Sequence, residues 1–474
     1  MRKIFLSGVT LFLLFLISCS DDKIVQPDES NKNGFESAEV AQIFSDNCST
    51  SGCHDSNNPE NGLSITSHSN LMKGSSARPL NSGGLYGGDV IVPFNSKRSL
   101  LYQMISGNAS VQMPFQRAAL SQEEVVTIKN WIDDGAKDEF GAVPFSNPSY
   151  RVFVCNQRSD AISVIDGDEK VVSRVYETDF SELNDAPHMI KVYGNYFYVT
   201  YITAGRFVKF DKHTGEIIGQ VEQLEFPGMI MINSTGSKAY VSRSSTAPGL
   251  FNSIYVIDLS SMSLSNEILL PVSGIPHAIS LSLDDKILYV ANLTANRISI
   301  IDTESDSFQQ DVLLSQSENH EPMEIEISPD GKYLYISGRA SGKLVILDTE
   351  QLTVVKEIMV GMMPMHIAIS QDGSRIYVPS MMTNTVNVIA YDGNDWIRTS
   401  QITHPGFTQL HGCELSPDDN YLYVSSRNTS GSFVPAYTVN GESNHGTIGI
   451  INTQTLQVEK LLEIEEYGAG IAVD

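Results

Sequence analysis

The sequence predicts a multidomain chain, a small all-α unit followed by an all-β ring of seven blades. Three observations carry that reading. Seven short strand patterns recur every 42 to 49 residues through the C-terminal two thirds of the 474 residues. The last residues repeat the pattern of a first blade strand with no second strand after it. Upstream of the repeats, residues with helical spacing surround the run NCSTSGCHD.

The repeats centre on Phe153, Tyr198, Tyr240, Tyr289, Tyr335, Tyr377 and Tyr423, in segments such as RVFVCN, ILYVAN and YLYISG. Each is β-branched or aromatic and alternates as a strand does. A second strand follows each and ends in a turn residue: Asp166, Asp211, Asp258, Asp302, Asp348, Asp392 and Asn452. A period near 45 residues suits four-stranded propeller blades. The terminal GAGIAVD, residues 468–474, is expected to pair beside Arg151 to Asn156 and close the ring. These segments resemble the YVTN family of bacterial β-propellers over residues 150–474, which implies a seven-bladed propeller.

Ahead of the ring, residues 142–149 contain two prolines and read as a linker. Residues 35–141 form the expected small domain. In it Val40, Ile43 and Phe44 share a helix face, and Ser121 with Glu124 makes a capping box for a last helix carrying Val125, Ile128, Trp131 and Ile132. Cys48 and Cys53 followed by His54 read as a covalent haem attachment site, in which both thiols form thioethers and the imidazole reaches the iron. Four residues separate the cysteines where two are usual. The segments VAQIFSDNC, GLSITSHSNLMKG, VIVPFNSKRSLLYQMISG and QMPFQRAALSQEEVVTIKNWIDDGA, in that order, resemble small cytochrome c domains fused to other modules. The resemblance implies one haem c and, before Pro114, Met113 as the second axial ligand. His68 is the rival ligand, and Met104 falls in an apolar helix pattern.

The N-terminus reads as a signal. Met1-Arg2-Lys3 is basic, and Ile4 to Ile17 is apolar but too short for a confident membrane span. Leu16-Ile17-Ser18-Cys19 resembles a bacterial lipoprotein signal, which implies residues 1–19 as signal peptide, lipid on Cys19, and residues 20–34 as a flexible tether. The expected location is the bacterial cell envelope, exported and lipid-anchored. Cys155 and Cys413 fall in strand-like runs, as buried free thiols do. With 31 Lys and Arg against 56 Asp and Glu, the net charge of −25 excludes nucleic acid as a partner.

Within the repeats, histidines recur where an inner strand begins: His188, His277, His366 and His411. Arginines recur after the second strand: Arg158, Arg243, Arg339 and Arg427. Both positions belong on one rim of the channel. Duplication of a structural residue explains the pattern. So does an anion-binding surface, because arginine forks match carboxylates and phosphates. A second metal in the propeller, held by imidazole and thioether, is the third reading. No nucleophile elbow, zinc-protease helix or dinucleotide fingerprint is present.

The expected function is an exported, lipid-anchored c-type cytochrome acting in electron transfer, with the propeller docking a redox partner or a small electron donor or acceptor. The alternatives are an oxidoreductase using the His/Arg rim and a surface binding protein with an ancillary haem.

Overall fold

A computed structural model describes residues 32–76, 90–244, 252–271, 274–435, 437, 439–441 and 444–474. The expected signal and Cys19 lie outside the described residues.

Among the described residues, twenty-eight strands form seven four-stranded antiparallel sheets. The repeat region is a seven-bladed β-propeller. Blade one is assembled from both ends of the repeats: the terminal strand Gly468–Val473 pairs with Arg151–Asn156, as expected for ring closure. From blade two onward the innermost strands are Pro187–Tyr193, Pro227–Ile232, Pro276–Leu281, Pro322–Ile327, Ala368–Ile369 and Leu410–Leu415. The second strands carry the YVTN-like segments and are buried almost throughout, with Tyr198, Tyr240, Tyr335, Tyr377 and Tyr423 among the largest fully buried side chains. The turn residues behave as their type dictates: Asp166 Oδ1 accepts from the backbone N–H of Asp168 and Glu169 at 3.0 and 2.8 Å, and Asp348 repeats this with Glu350 and Gln351. At Gly470, where two inner strands converge, there is no room for a side chain. A Cβ on Gly470 would lie 2.8 Å from the carbonyl oxygen of His188.

Among the described residues all four α-helices precede the propeller: α1 (Ala38–Asn47), α2 (His68–Leu71), α3 (Leu100–Ile105) and α4 (Gln122–Asp133). Ser121 and Glu124 cap α4 reciprocally. Phe35, Phe44, Ile128, Trp131 and Ile132 form a core separate from those of the blades. Several contacts fasten this unit to the propeller. Arg98 pairs with Glu177 and Glu465 at 3.2 and 2.6 Å. The loop after Arg427 reaches across, where Val439 bridges to Ala109 and Tyr437 accepts a hydrogen bond from Asn61 at 2.8 Å.

Candidate functional site at the channel mouth, and a cavity in the helical unit

The inner strands bring the four histidines together at one end of the channel. Each lies in or beside a break in strand register: between Pro187 and Met189, between Pro276 and Ile279, ahead of Ala368, and between Leu410 and Cys413. A bulge adds one residue and re-aims the side chain at that point. The ring centroids of His188 and His277 are 6.1 Å apart, and those of His366 and His411 are 4.9 Å apart.

Their nitrogens are held in different ways. His277 Nδ1–H donates to the Met323 carbonyl at 2.7 Å, which leaves its lone pair on Nε2. His188 Nδ1 lies 2.7 Å from the Gln157 side-chain amide, while its Nε2 is buried without a hydrogen-bond partner. His366 Nδ1 is 3.4 Å from Glu324 Oε2. Both ring nitrogens of His411 are buried and unpaired. Burial keeps all four neutral: it pushes His188 down to about 3 and His277 to about 4, and His366 and His411 well below the ordinary histidine range.

The four arginines divide into two pairs. Arg243 is neutralised by Glu225 and Glu267, and Arg339 by Glu321 at 3.0 Å. Arg158 and Arg427 instead lie over the ring of Tyr467, at 5.5 and 4.3 Å. Arg427 is half-buried, its Nε is buried without a hydrogen-bond partner, and desolvation, opposed in part by the Tyr467 hydroxyl, pulls its pKa down to about 10. A buried guanidinium with an unpaired N–H is costly unless a ligand completes it. Met323, Met365 and Met381 pack with Leu293 as an apolar patch on the same rim, so thioether packing accounts for the methionine cluster.

Deeper in the channel lies a charged layer that the sequence reading missed. Lys191, Glu324, Glu326 and Glu414 interact with one another from blades two, five and seven. Burial, opposed in part by Lys191, raises all three carboxyls, and neighbouring carboxylates hold Lys191 above its usual value despite its own burial. A signal was available: Lys191 and Glu414 each stand three residues after a rim histidine, on strands that are otherwise largely apolar. Because of the bulge, i and i+3 rather than i and i+2 face the lumen.

The helical unit encloses a second concavity of about 540 Å³. Cys48, Cys53, His54 and Met113 all line it, with Met104 and Tyr437. His54 Nδ1–H donates to the Leu63 carbonyl at 3.0 Å, leaving Nε2 as the lone-pair nitrogen. The two thiols are free, and burial, with Cys53 and Glu124 nearby, pushes Cys48 up to about 12. His68 is not at this cavity; its Nε2–H donates to the Ala136 carbonyl at 2.8 Å, and its ring packs against Phe35 and Trp131. Cys155 and Cys413 are buried free thiols inside blades. Tyr437 was not foreseen, because it enters from a loop 376 residues away from its partner Asn61.

The sequence profile of the family described as "Lactonase, 7-bladed beta-propeller" matches residues 272–362 and 310–394, within the blades that bear His277 and His366. Among solved structures, the periplasmic gluconolactonase PpgL of Pseudomonas aeruginosa is 19% identical over 68% of this chain and 98% of its own, with a TM-score of 0.56. A Bacteroides uniformis protein described as a candidate 6-phosphogluconolactonase is 15% identical over 69% of this chain and 99% of its own, with a TM-score of 0.54. A functionally unknown Desulfotomaculum acetoxidans protein is 16% identical over 68% and 98%, at 0.55. At such identities the likeness is one of fold. No curated protein matches the chain.

These matches correct the expected function. An electron-transfer cytochrome whose propeller merely docks a partner is overturned by the lactonase profile that matches residues 272–362 and 310–394 and by the gluconolactonase-type proteins among the similar structures.

Proposed function

We propose that the propeller is a hydrolase acting on lactones of the sugar-acid type at its histidine-lined channel mouth. The observation that carries this reading is Arg427, whose Nε is buried and unpaired, beside four neutral imidazoles. In lactone hydrolysis water adds to the carbonyl carbon, the ring C–O bond breaks, and the product is a hydroxy acid. Arg427 stabilises the oxygen that gains negative charge and then the product carboxylate. The imidazoles with open nitrogens hold the attacking water and return its proton to the leaving oxygen. The lactonase profile and the names of the two gluconolactonase-like relatives support the substrate class. The test is hydrolysis of five- and six-membered aldonolactones by the full chain. Arg427→Met should lower kcat/KM by tenfold or more, the equivalent of losing one charge-assisted hydrogen bond worth about 1.5–3 kcal/mol.

The helical unit we propose as a cytochrome c-like module. The donors that line its cavity suit one haem: two thiols, an adjacent imidazole and the Met113 thioether. Cys48 and Cys53 would hold the macrocycle, and His54 and Met113 the iron. A bound haem would supply one-electron chemistry, with His54 and Met113 to hold its iron, and ester chemistry is assigned to the propeller. Haem that resists acid-acetone extraction and disappears in Cys48→Ser/Cys53→Ser supports the module; extractable haem, or none, refutes it. Export and a lipid anchor at Cys19 complete the proposal, supported by the leader's pattern and by the periplasmic relative.

A further inference from the structure

We infer that the channel mouth selects lactones carrying a second anionic group, a carboxylate or phosphate remote from the ring carbonyl, and that Arg158 is the side chain that takes it. The substrate named here rests on the proposed lactone chemistry; the anion site itself does not.

Comparing the blades with one another isolates the site. In blades five, seven and one the residue just before the inner strand is Glu321, Gln409 and Tyr467. All three have positive φ, at 51°, 59° and 66°. Each carbonyl accepts the backbone N–H that follows the second strand, from Arg339, Arg427 and Gln157 respectively. The three positions are therefore equivalent in the repeat. What differs is the side chain. In blade five, Glu321 Oε2 accepts from Arg339 Nε and Nη2 at 3.1 and 3.0 Å, so that guanidinium is neutralised within its own blade. Blade seven has an uncharged amide there, and Gln409 Oε1 is already committed to the Thr429 N–H at 2.7 Å. Blade one has Tyr467, with Arg158 directly after Gln157. Among the described residues neither Arg158 nor Arg427 pairs with a carboxylate, although Arg243 and Arg339 on the same rim both do.

The two open arginines come from adjacent blades and share one ring, at 5.5 and 4.3 Å from the Tyr467 centroid, so one sugar-sized molecule can touch both. Like charges this close repel, and a chain with 56 acidic side chains against 31 basic ones leaves both without a counter-ion. The aromatic face offsets only part of that charge. A guanidinium fork matches the paired oxygens of a carboxylate or phosphate, so one oxyanion at each arginine completes the seam. Depth assigns the two ends. Arg427 has its Nε buried and bears on all four imidazoles, which puts it at the reacting carbonyl. Arg158 is exposed, and it follows Gln157, whose amide meets His188 Nδ1 at 2.7 Å, so it borders the histidine cluster from outside. A ligand with its carbonyl at Arg427 presents its far end to Arg158.

The experiment titrates the full chain calorimetrically, at fixed ionic strength, with gluconate, with glucarate and with gluconate phosphorylated on its far hydroxyl. The two-ended anions should bind about fivefold or more tighter than gluconate, the worth of one partly exposed charge pair. That ratio should fall to near one in Arg158→Gln and survive in part in Arg158→Lys. Gln409→Glu, which gives Arg427 the carboxylate that blade five has, should weaken all three ligands. Whichever two-ended anion binds tighter identifies the remote group as carboxylate or phosphate. Equal affinity for all three acids in the wild type overturns the inference, as does a ratio untouched by Arg158→Gln. Inorganic phosphate binding as tightly as the two-ended anions overturns it too, since no second end is then needed. Melting curves show whether each variant folds, and Arg158→Lys keeps the charge if Arg158→Gln does not fold. Preference for two-ended anions without turnover of any lactone would refute the proposed activity alone. Lactone turnover without that preference would refute only the selection by Arg158.

Discussion

Ring closure rests on a short strand that the chain contributes last, and Ile471→Ala probes it directly. Ile471 is 2% exposed and packs with Val152, Val154, Ile448 and Ile464, so its side chain joins blade one to blade seven. Truncating a buried isoleucine to alanine typically costs about 2–5 kcal/mol, the spread reflecting how far the site collapses. Here both flanking inner strands are held at backbone contact distance, as at Gly470 against His188, so collapse is restricted and the upper half, about 3–5 kcal/mol, applies. The assay is urea or thermal denaturation followed by circular dichroism. Leu269→Ala is the matched control, since that side chain is 57% exposed on an outer strand and should change stability by less than about 0.5 kcal/mol. If Ile471→Ala unfolds at the same denaturant concentration as Leu269→Ala, the terminal strand does not close the ring and the reasoning fails.

The buried histidines give the propeller an acid limb. His188 and His277 fall from 6.5 to about 3 and about 4, so the unfolded chain binds protons that the folded chain refuses, and stability is lost as pH falls below 6.5. At pH 5 that is about 2 kcal/mol from each, and His277→Gln should flatten the decline in a pH series of melting temperatures. Glu324 acts with the opposite sign: its carboxyl is raised by burial, so the folded chain holds the extra proton and stability falls as pH rises above about 4.3. Glu324→Gln should therefore be more stable than the wild type at pH 8; equal or lower stability there would contradict a neutral Glu324. Tyr437→Ala should open the helical unit's cavity and speed the reaction of Cys48 and Cys53 with a thiol reagent in the haem-free chain, whereas His68→Ala should affect melting more than thiol reactivity.

The propeller was legible because its information is local and repeated. The strand period, the aspartate turns and the orphan first strand at 468–474 each recur or complete a pattern, and the structure assembles them as seven sheets. The candidate site was legible by half. Position in the repeat put four histidines and four arginines on one rim, yet it could not separate Arg427, left open over Tyr467, from Arg243 and Arg339, each held by glutamates. That distinction depends on residues such as Glu321 and Glu267, placed by three-dimensional pairing. The bulges that turn the histidines inward also changed which residues face the lumen, and this concealed Lys191 and the three channel glutamates. In the helical unit, Cys48, Cys53, His54 and Met113 line one cavity, but its wall includes Tyr437 from a distant loop whose arrival no local pattern announces.

The account turns on chemistry at the channel mouth, and the most direct measurement is the rate of acid release from an aldonolactone by the purified full chain. The wild type should accelerate ring opening well above the spontaneous rate, Arg427→Met should lose at least tenfold of kcat/KM, and Cys48→Ser/Cys53→Ser should retain the wild-type value. A wild-type rate indistinguishable from buffer, or turnover untouched by loss of Arg427, would contradict it.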